Sequence, residues 1–203
     1  MPITCQIYSY DLETQETHFI SDGKLKAVIG QNIIFSDHLE TQLYCFHLTD
    51  SSVIKLADGY FLTTHDNCIY YQTPTEDITA AANGQVTLSV ICADGSGQKN
   101  LCTTSPDLYT DDFATARRSF ARIVFMLFRQ DDIYFSYGSY SGTGEIFSGG
   151  RIVRVKKDGS FSEISAGATE LQSPIFTLTE DNIVLSQSVI DQKISISPMD
   201  TYY

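Results

Sequence analysis

The sequence predicts an all-β chain of antiparallel four-stranded meanders. One observation is a repeated pattern. In Asp131-Asp132-Ile133-Tyr134-Phe135-Ser136-Tyr137 an apolar run follows two acids and closes on a polar residue. Shorter copies are Ile33-Ile34-Phe35-Ser36, Ile69-Tyr70-Tyr71-Gln72 and Ile183-Val184-Leu185-Ser186, each preceded by Asn, Asp or Gln. Another is composition: Tyr and Phe number 12 each and Trp is absent, which suits strands. The last is punctuation, because short polar turns separate apolar runs of strand length. The copies start 36, 64 and 50 residues apart. The first interval lies near the length of a four-stranded propeller blade, and the others need insertions. The expected arrangement is therefore a small or partial β-propeller of about four blades. A two-sheet β-sandwich is the rival, but it does not predict repeated four-strand cycles.

The elements follow in order. Gln6-Ile7-Tyr8-Ser9-Tyr10 and Thr17-His18-Phe19-Ile20 flank a turn at 11–14, and a short strand spans 25–29. The first cycle runs from Ile33 through strands at 42–48, 53–56 and 60–64, and the next begins at Ile69. Its continuation holds a polar insertion at 73–84, a strand at 87–92, the turn Asp94-Gly95-Ser96-Gly97 and a return at 99–102. Glycine supports the positive φ that such turns require.

Residues 103–115 form a second insertion, with a short helical turn near 112–117. The run 120–128 fits a helix face or a buried strand equally well by periodicity. Its place just before Ile133 makes it a strand. The third cycle has Ile133 to Tyr137, a long loop over 137–150, then Arg151-Ile152-Val153-Arg154-Val155 and a return at 161–164. Strands at 175–178, 183–188 and 193–197 close the chain. Two N-terminal strands resemble an outer pair and the C-terminal strands an inner pair, so joining the ends would complete a fourth blade.

A chain of 203 residues suits a single domain over 1–203. Net charge is −12 and the basic residues are scattered, which argues against a nucleic-acid partner because phosphate neutralisation needs a basic patch. The N-terminus shows no signal-peptide pattern, and the longest apolar run, 123–128, is too short to span a bilayer. The chain as it stands is expected to be soluble and cytoplasmic, or secreted or surface-bound if it is cut from a larger parent. Five cysteines lack metal-binding spacing and read as small buried thiols. Cys92 and Cys102 flank a hairpin where a disulfide would depend on strand register.

The segments 131–138 and 149–160, holding Asp132-Ile133-Tyr134-Phe135-Ser136-Tyr137-Gly138 and Arg151-Ile152-Val153-Arg154-Val155-Lys156-Lys157-Asp158-Gly159-Ser160, resemble bacterial propeller-repeat proteins of unknown function. These are distantly similar to the YWTD-type propellers of lipoprotein-receptor ectodomains, although the YWTD motif is absent here. The resemblance covers 131–164 well and 31–56 and 67–102 more loosely. It implies a β-propeller that binds partners or ligands, and it transfers no catalytic residue.

The Gly-rich stretch 137–150 lacks the Lys-Ser/Thr of a phosphate loop. As a binding loop it offers Tyr137, Tyr140, Glu145 and Phe147, aromatic area with one acid. Asp37, Asp66, Asp132 and Asp181 fall in turns beside the repeated strand. If those turns share one face of a ring, an acidic ring there could hold a cation, although Asx residues also serve simply as turn formers. Paired carboxylates such as Asp131-Asp132 point apart along a strand and make poor acid–base pairs. The expected function is a non-catalytic binding or interaction module with no cofactor, taking a protein or a small molecule such as a carbohydrate. The alternative is a propeller hydrolase, lyase or isomerase with an acidic or metal site at the channel mouth.

Overall fold

The computed structural model describes residues 5–74, 85–104, 121–140, 147–164, 175–180 and 182–185; at 139–140, 147–150 and 185 it describes the backbone. Sixteen strands are assigned among these residues. The first two, β1 (Gln6–Tyr10) and β2 (Thr17–Asp22), form a two-stranded sheet. Blade 1 is β3 (Lys24–Ile29), β4 (Asn32–Ser36), β5 (Gln42–His47) and β6 (Val53–Asp58). Blade 2 is β7 (Tyr60–His65), β8 (Cys68–Thr73), β9 (Thr87–Cys92) and β10 (Lys99–Thr103). Blade 3 is β11 (Ala121–Arg129), β12 (Asp132–Tyr140), β13 (Phe147–Val155) and β14 (Phe161–Glu163). A last two-stranded sheet pairs β15 (Phe176–Leu178) with β16 (Ile183–Leu185). The fold is all-β, with successive antiparallel meanders as in a partial propeller, and its separate sheets rule out the two-sheet sandwich.

The repeated strand is the second of each blade, not the first. Sheets begin one strand earlier than the sequence pattern suggests, at Lys24, Tyr60 and Ala121. The strands at 25–29, 60–64 and 120–128 are therefore the edge strands that open the three blades. The strand assignment of 120–128 holds, while the helical turn near 112–117 lies outside the described residues. So does the expected strand at 193–197. Among the described residues no ladder joins β1–β2 to β15–β16, and the rest of the C-terminal segment expected to complete a fourth blade lies outside them.

Why the second strands are continuously apolar is visible in the packing. Successive side chains of a strand point to opposite faces, and here both faces meet another sheet. Ile69 and Tyr71 of β8 pack with Ile34, Leu43 and Leu56 of blade 1. Tyr70, between them, meets Phe128 of blade 3 at a ring-centroid distance of 4.9 Å. On β12, Ile133, Phe135 and Tyr137 pack with Val86, Leu88 and Cys102 of blade 2, while Tyr134 packs with Ile152 and Phe176 on the other side. The core is thus a series of seams between blades.

Two glycines fix how closely the chain enters a blade. Gly23 and Gly59 follow Asp22 and Asp58 at the start of blades 1 and 2. A Cβ at Gly23 would collide with the Ser36 carbonyl oxygen, and one at Gly59 would lie 2.6 Å from the Gln72 carbonyl oxygen. The third-to-fourth-strand turns repeat as well. Asp50, Asp94 and Asp158 each accept the backbone N–H of the Ser two residues on, at 3.0, 2.9 and 2.8 Å. Those side-chain and backbone bonds hold all three carboxyls below their ordinary pKa. The copy at 50–52 lacks the glycine that marks the other two in sequence, and Ser51 itself takes the positive φ, 59°.

Candidate functional site

The blades have two ends, and the candidate residues divide between them. One end carries the turns between first and second strands, together with the Asp-x-Ser turns. Asp66 and Asp132 lie there, in or beside the β7–β8 and β11–β12 turns. Asp181, in the β15–β16 connection, lies outside the described residues. The other end carries the connections between second and third strands. Asp37 sits there, after β4, so it does not share a face with Asp66 and Asp132 as expected. The sequence placed it beside the repeated strand correctly, but beside the wrong end of it.

The acids already have partners. Asp37 Oδ1 accepts the N–H of Thr41 at 2.6 Å and of Gln42 at 3.0 Å, and Oδ2 accepts the Thr41 hydroxyl at 3.0 Å. Burial alone would raise its pKa, yet these bonds outweigh burial and hold the carboxyl below the ordinary value. Asp132 is clamped by the Arg154 guanidinium, whose Nε donates at 2.7 Å. Asp66 is exposed beside His65 at 3.3 Å. Among the described residues no three metal-binding side chains converge.

The same end holds contacts between blades. The His65 ring stacks on Phe128 of blade 3, with centroids 4.1 Å apart, and Arg129 donates to the carbonyls of Thr179 and Glu180. Beside this contact lies a shallow pocket of about 410 Å³ lined by Leu127, Phe128, Arg129, Thr177, Thr179 and Glu180.

The expected loop over 137–150 is instead largely a hairpin. β12 and β13 pair from Ile133↔Val155 to Tyr140↔Phe147, leaving 141–146 as the connection. Gly138, Gly149 and Gly150 are accommodated in a ladder whose register shifts between Tyr137 and Ser139, while Gly142 and Gly144 lie outside the described residues. Tyr137 is correspondingly a framework residue. It is fully buried, and its hydroxyl donates to Glu163 at 2.7 Å. Burial, with the Glu163 carboxylate beside it, pushes its phenol well above the ordinary range. Tyr140 and Phe147 are direct cross-strand partners at the far end. Glu145 lies outside the described residues.

Cross-blade polar contacts were not legible in the sequence. Gln72, at the end of the repeated run, donates through Nε2 to the Ala121 carbonyl at 3.1 Å and accepts the Ile123 N–H at 2.9 Å. It satisfies backbone groups at the β11 bulge. Ser36, its equivalent in blade 1, is buried with no hydrogen-bond partner for its hydroxyl among the described residues.

No family model matches the chain, and no curated protein matches it. Similar solved structures include "Streptogramin B lyase structure", at 15% identity and a TM-score of 0.44, covering 79% of this chain and 45% of that one. "Oligogalacturonate lyase in complex with manganese" is similar at 9% identity and a TM-score of 0.44, covering 79% and 46%. The chain spans less than half the length of either protein.

Proposed function

We propose that this chain is a non-catalytic binding module. Its ligand-bearing end carries the second-to-third-strand connections, and Tyr140, Glu145 and Phe147 make the contacts. The observation that carries this reading is the Tyr140↔Phe147 register pair at the end of β12–β13. Cross-strand partners stand about 5 Å apart on one face, so two aromatic residues are brought together beside a connection that holds one acid. Such a pair suits a sugar face or an apolar side chain of a protein, with the carboxylate accepting hydroxyl or amide hydrogens. The chain's length variation falls at this end too, in the second-to-third-strand links, from 37–41 to 74–86, and in the links between blades, from Gly59 alone to 104–120, and loops on a rigid scaffold commonly bear function. The resemblance of 131–164 to bacterial propeller-repeat proteins, distantly similar to YWTD-type propellers, implies a scaffold that binds.

The test is a thermal-shift screen of the intact chain against simple sugars and divalent cations, with a chelator control. A ligand that binds only the folded state raises the melting temperature by mass action. A shift with a sugar that disappears in Tyr140→Ser/Phe147→Ser supports the proposal. A shift with a divalent cation, abolished by chelation and by Asp66→Asn or Asp132→Asn but kept in the aromatic variant, supports the enzyme alternative instead.

A further inference from the structure

At the turn end of each blade, one polar position ties the second strand to the third. In blade 1, Asn32 and His47 are cross-strand partners joined by a 2.6 Å side-chain hydrogen bond. In blade 3, Asp132 is held by Arg154, and neighbouring Asp131 by Lys157 at 3.0 Å. Blade 2 places Cys68 and Cys92 there. They are direct register partners, with sulfurs 3.7 Å apart.

The backbone pattern suits a bond between them. Ala93 donates its N–H to the Asn67 carbonyl, one residue outside the pair, and Cys92 donates to Ser96. Cys68 and Cys92 are thus a non-hydrogen-bonded antiparallel pair, the type in which Cα atoms stand about 4.5 Å apart and side chains come closest. That separation falls within the range a disulfide spans, roughly 4.4–6.8 Å between Cα atoms. Both residues are half-buried, whereas Cys45 and Cys102 are buried. The disulfide considered between Cys92 and Cys102 has no such geometry, because Cys102 pairs with Leu88.

The geometry points to Cys68 and Cys92 as a reversible oxidation site, a dithiol–disulfide couple that staples β8 to β9 where the other blades use hydrogen bonds or ion pairs. The oxidant is a small-molecule disulfide. One cysteine thiolate attacks a sulfur of that disulfide, forming a mixed disulfide and releasing one small thiolate. The second cysteine, as thiolate, attacks the protein-bound sulfur and releases the other. One protein S–S bond replaces one small-molecule S–S bond, and the two protein protons end on the released thiols. Burial raises the Cys68 thiol to about 11, so exchange is slow at neutral pH and quickens as pH rises.

The test equilibrates the intact chain with reduced and oxidised glutathione at graded ratios, followed by alkylation and non-reducing peptide mapping. A Cys68–Cys92 linked peptide should accumulate with oxidising ratio, and the linked form should melt roughly 5–10 °C higher. In Cys92→Ser, Cys68 should retain a glutathione adduct that the unaltered chain resolves. Both thiols remaining alkylatable at the most oxidising ratio would overturn the proposal. So would linkage of either residue to another cysteine, or a linked form that melts no higher than the dithiol.

Discussion

β8 and β12 occupy the same place in successive blades and open alike, with Ile-Tyr-Tyr in one and Ile-Tyr-Phe in the other. Over that shared stretch both serve the seams, sending alternate side chains to the blades on either side. Then they part. β8 stops at Thr73 after Gln72 has bound the next blade, whereas β12 continues to Tyr140 and pairs with Phe147. The shared part builds the scaffold. Tyr137, just past that stretch, still packs in the seam, and only beyond it does the ladder run on to the Tyr140↔Phe147 pair on which binding is proposed.

The largest expected effect is in the shared part. Phe135 is fully buried in the seam between blades 2 and 3, so Phe135→Ala should cost about 3–5 kcal/mol in denaturant unfolding. Gly59→Ala drives a Cβ against the Gln72 carbonyl and should cost about 1–3 kcal/mol. A cost near zero would show that the blade entry can relax.

Gln72→Ala should cost about 1–3 kcal/mol, because it strands the Ile123 N–H and the Ala121 carbonyl at a buried seam. Ser36→Ala removes a hydroxyl that bonds nothing among the described residues, so it should be neutral or mildly stabilising in the same assay. Equal losses from the two would mean that the seams are not tied as described.

Tyr137→Phe should cost about 1 kcal/mol through the lost bond to Glu163. Its pH dependence has a definite sign. A phenol whose folded pKa is raised contributes stability that is complete below the unfolded pKa, roughly 10, and lost as pH rises through the folded value. The unaltered chain should therefore weaken above about pH 10, and Tyr137→Phe should reduce that loss. At the far end, Tyr140→Ser/Phe147→Ser should change stability by less than about 1 kcal/mol while removing a ligand shift.

The second strands were legible because burial on both faces writes a continuous apolar run, and the Asp-Gly-Ser turns because their chemistry is local. Blade boundaries were harder to see. The first strand of each blade, such as Tyr60-Phe61-Leu62-Thr63-Thr64, carries no distinctive pattern, so the cycle appeared to begin at the stronger signal. Tyr137 looked like a loop residue because glycines follow it, and nothing local encodes its bond to Glu163, 26 residues away. Asp37 and Asp66 both adjoin a repeated strand, but only direction along the strand separates the two ends. The Gln72 bridge and the Cys68–Cys92 pair depend on register, which the sequence leaves open.

Amide hydrogen exchange along β12, read by peptide-resolved mass spectrometry, tests the division between scaffold and binding end most directly. Exchange should be slow over 133–137, matching 69–72 of β8 because both are enclosed by neighbouring blades, and much faster at Tyr140 and Phe147. Uniform protection from Ile133 through Tyr140 would contradict it, since the far end would then belong to the same rigid seam.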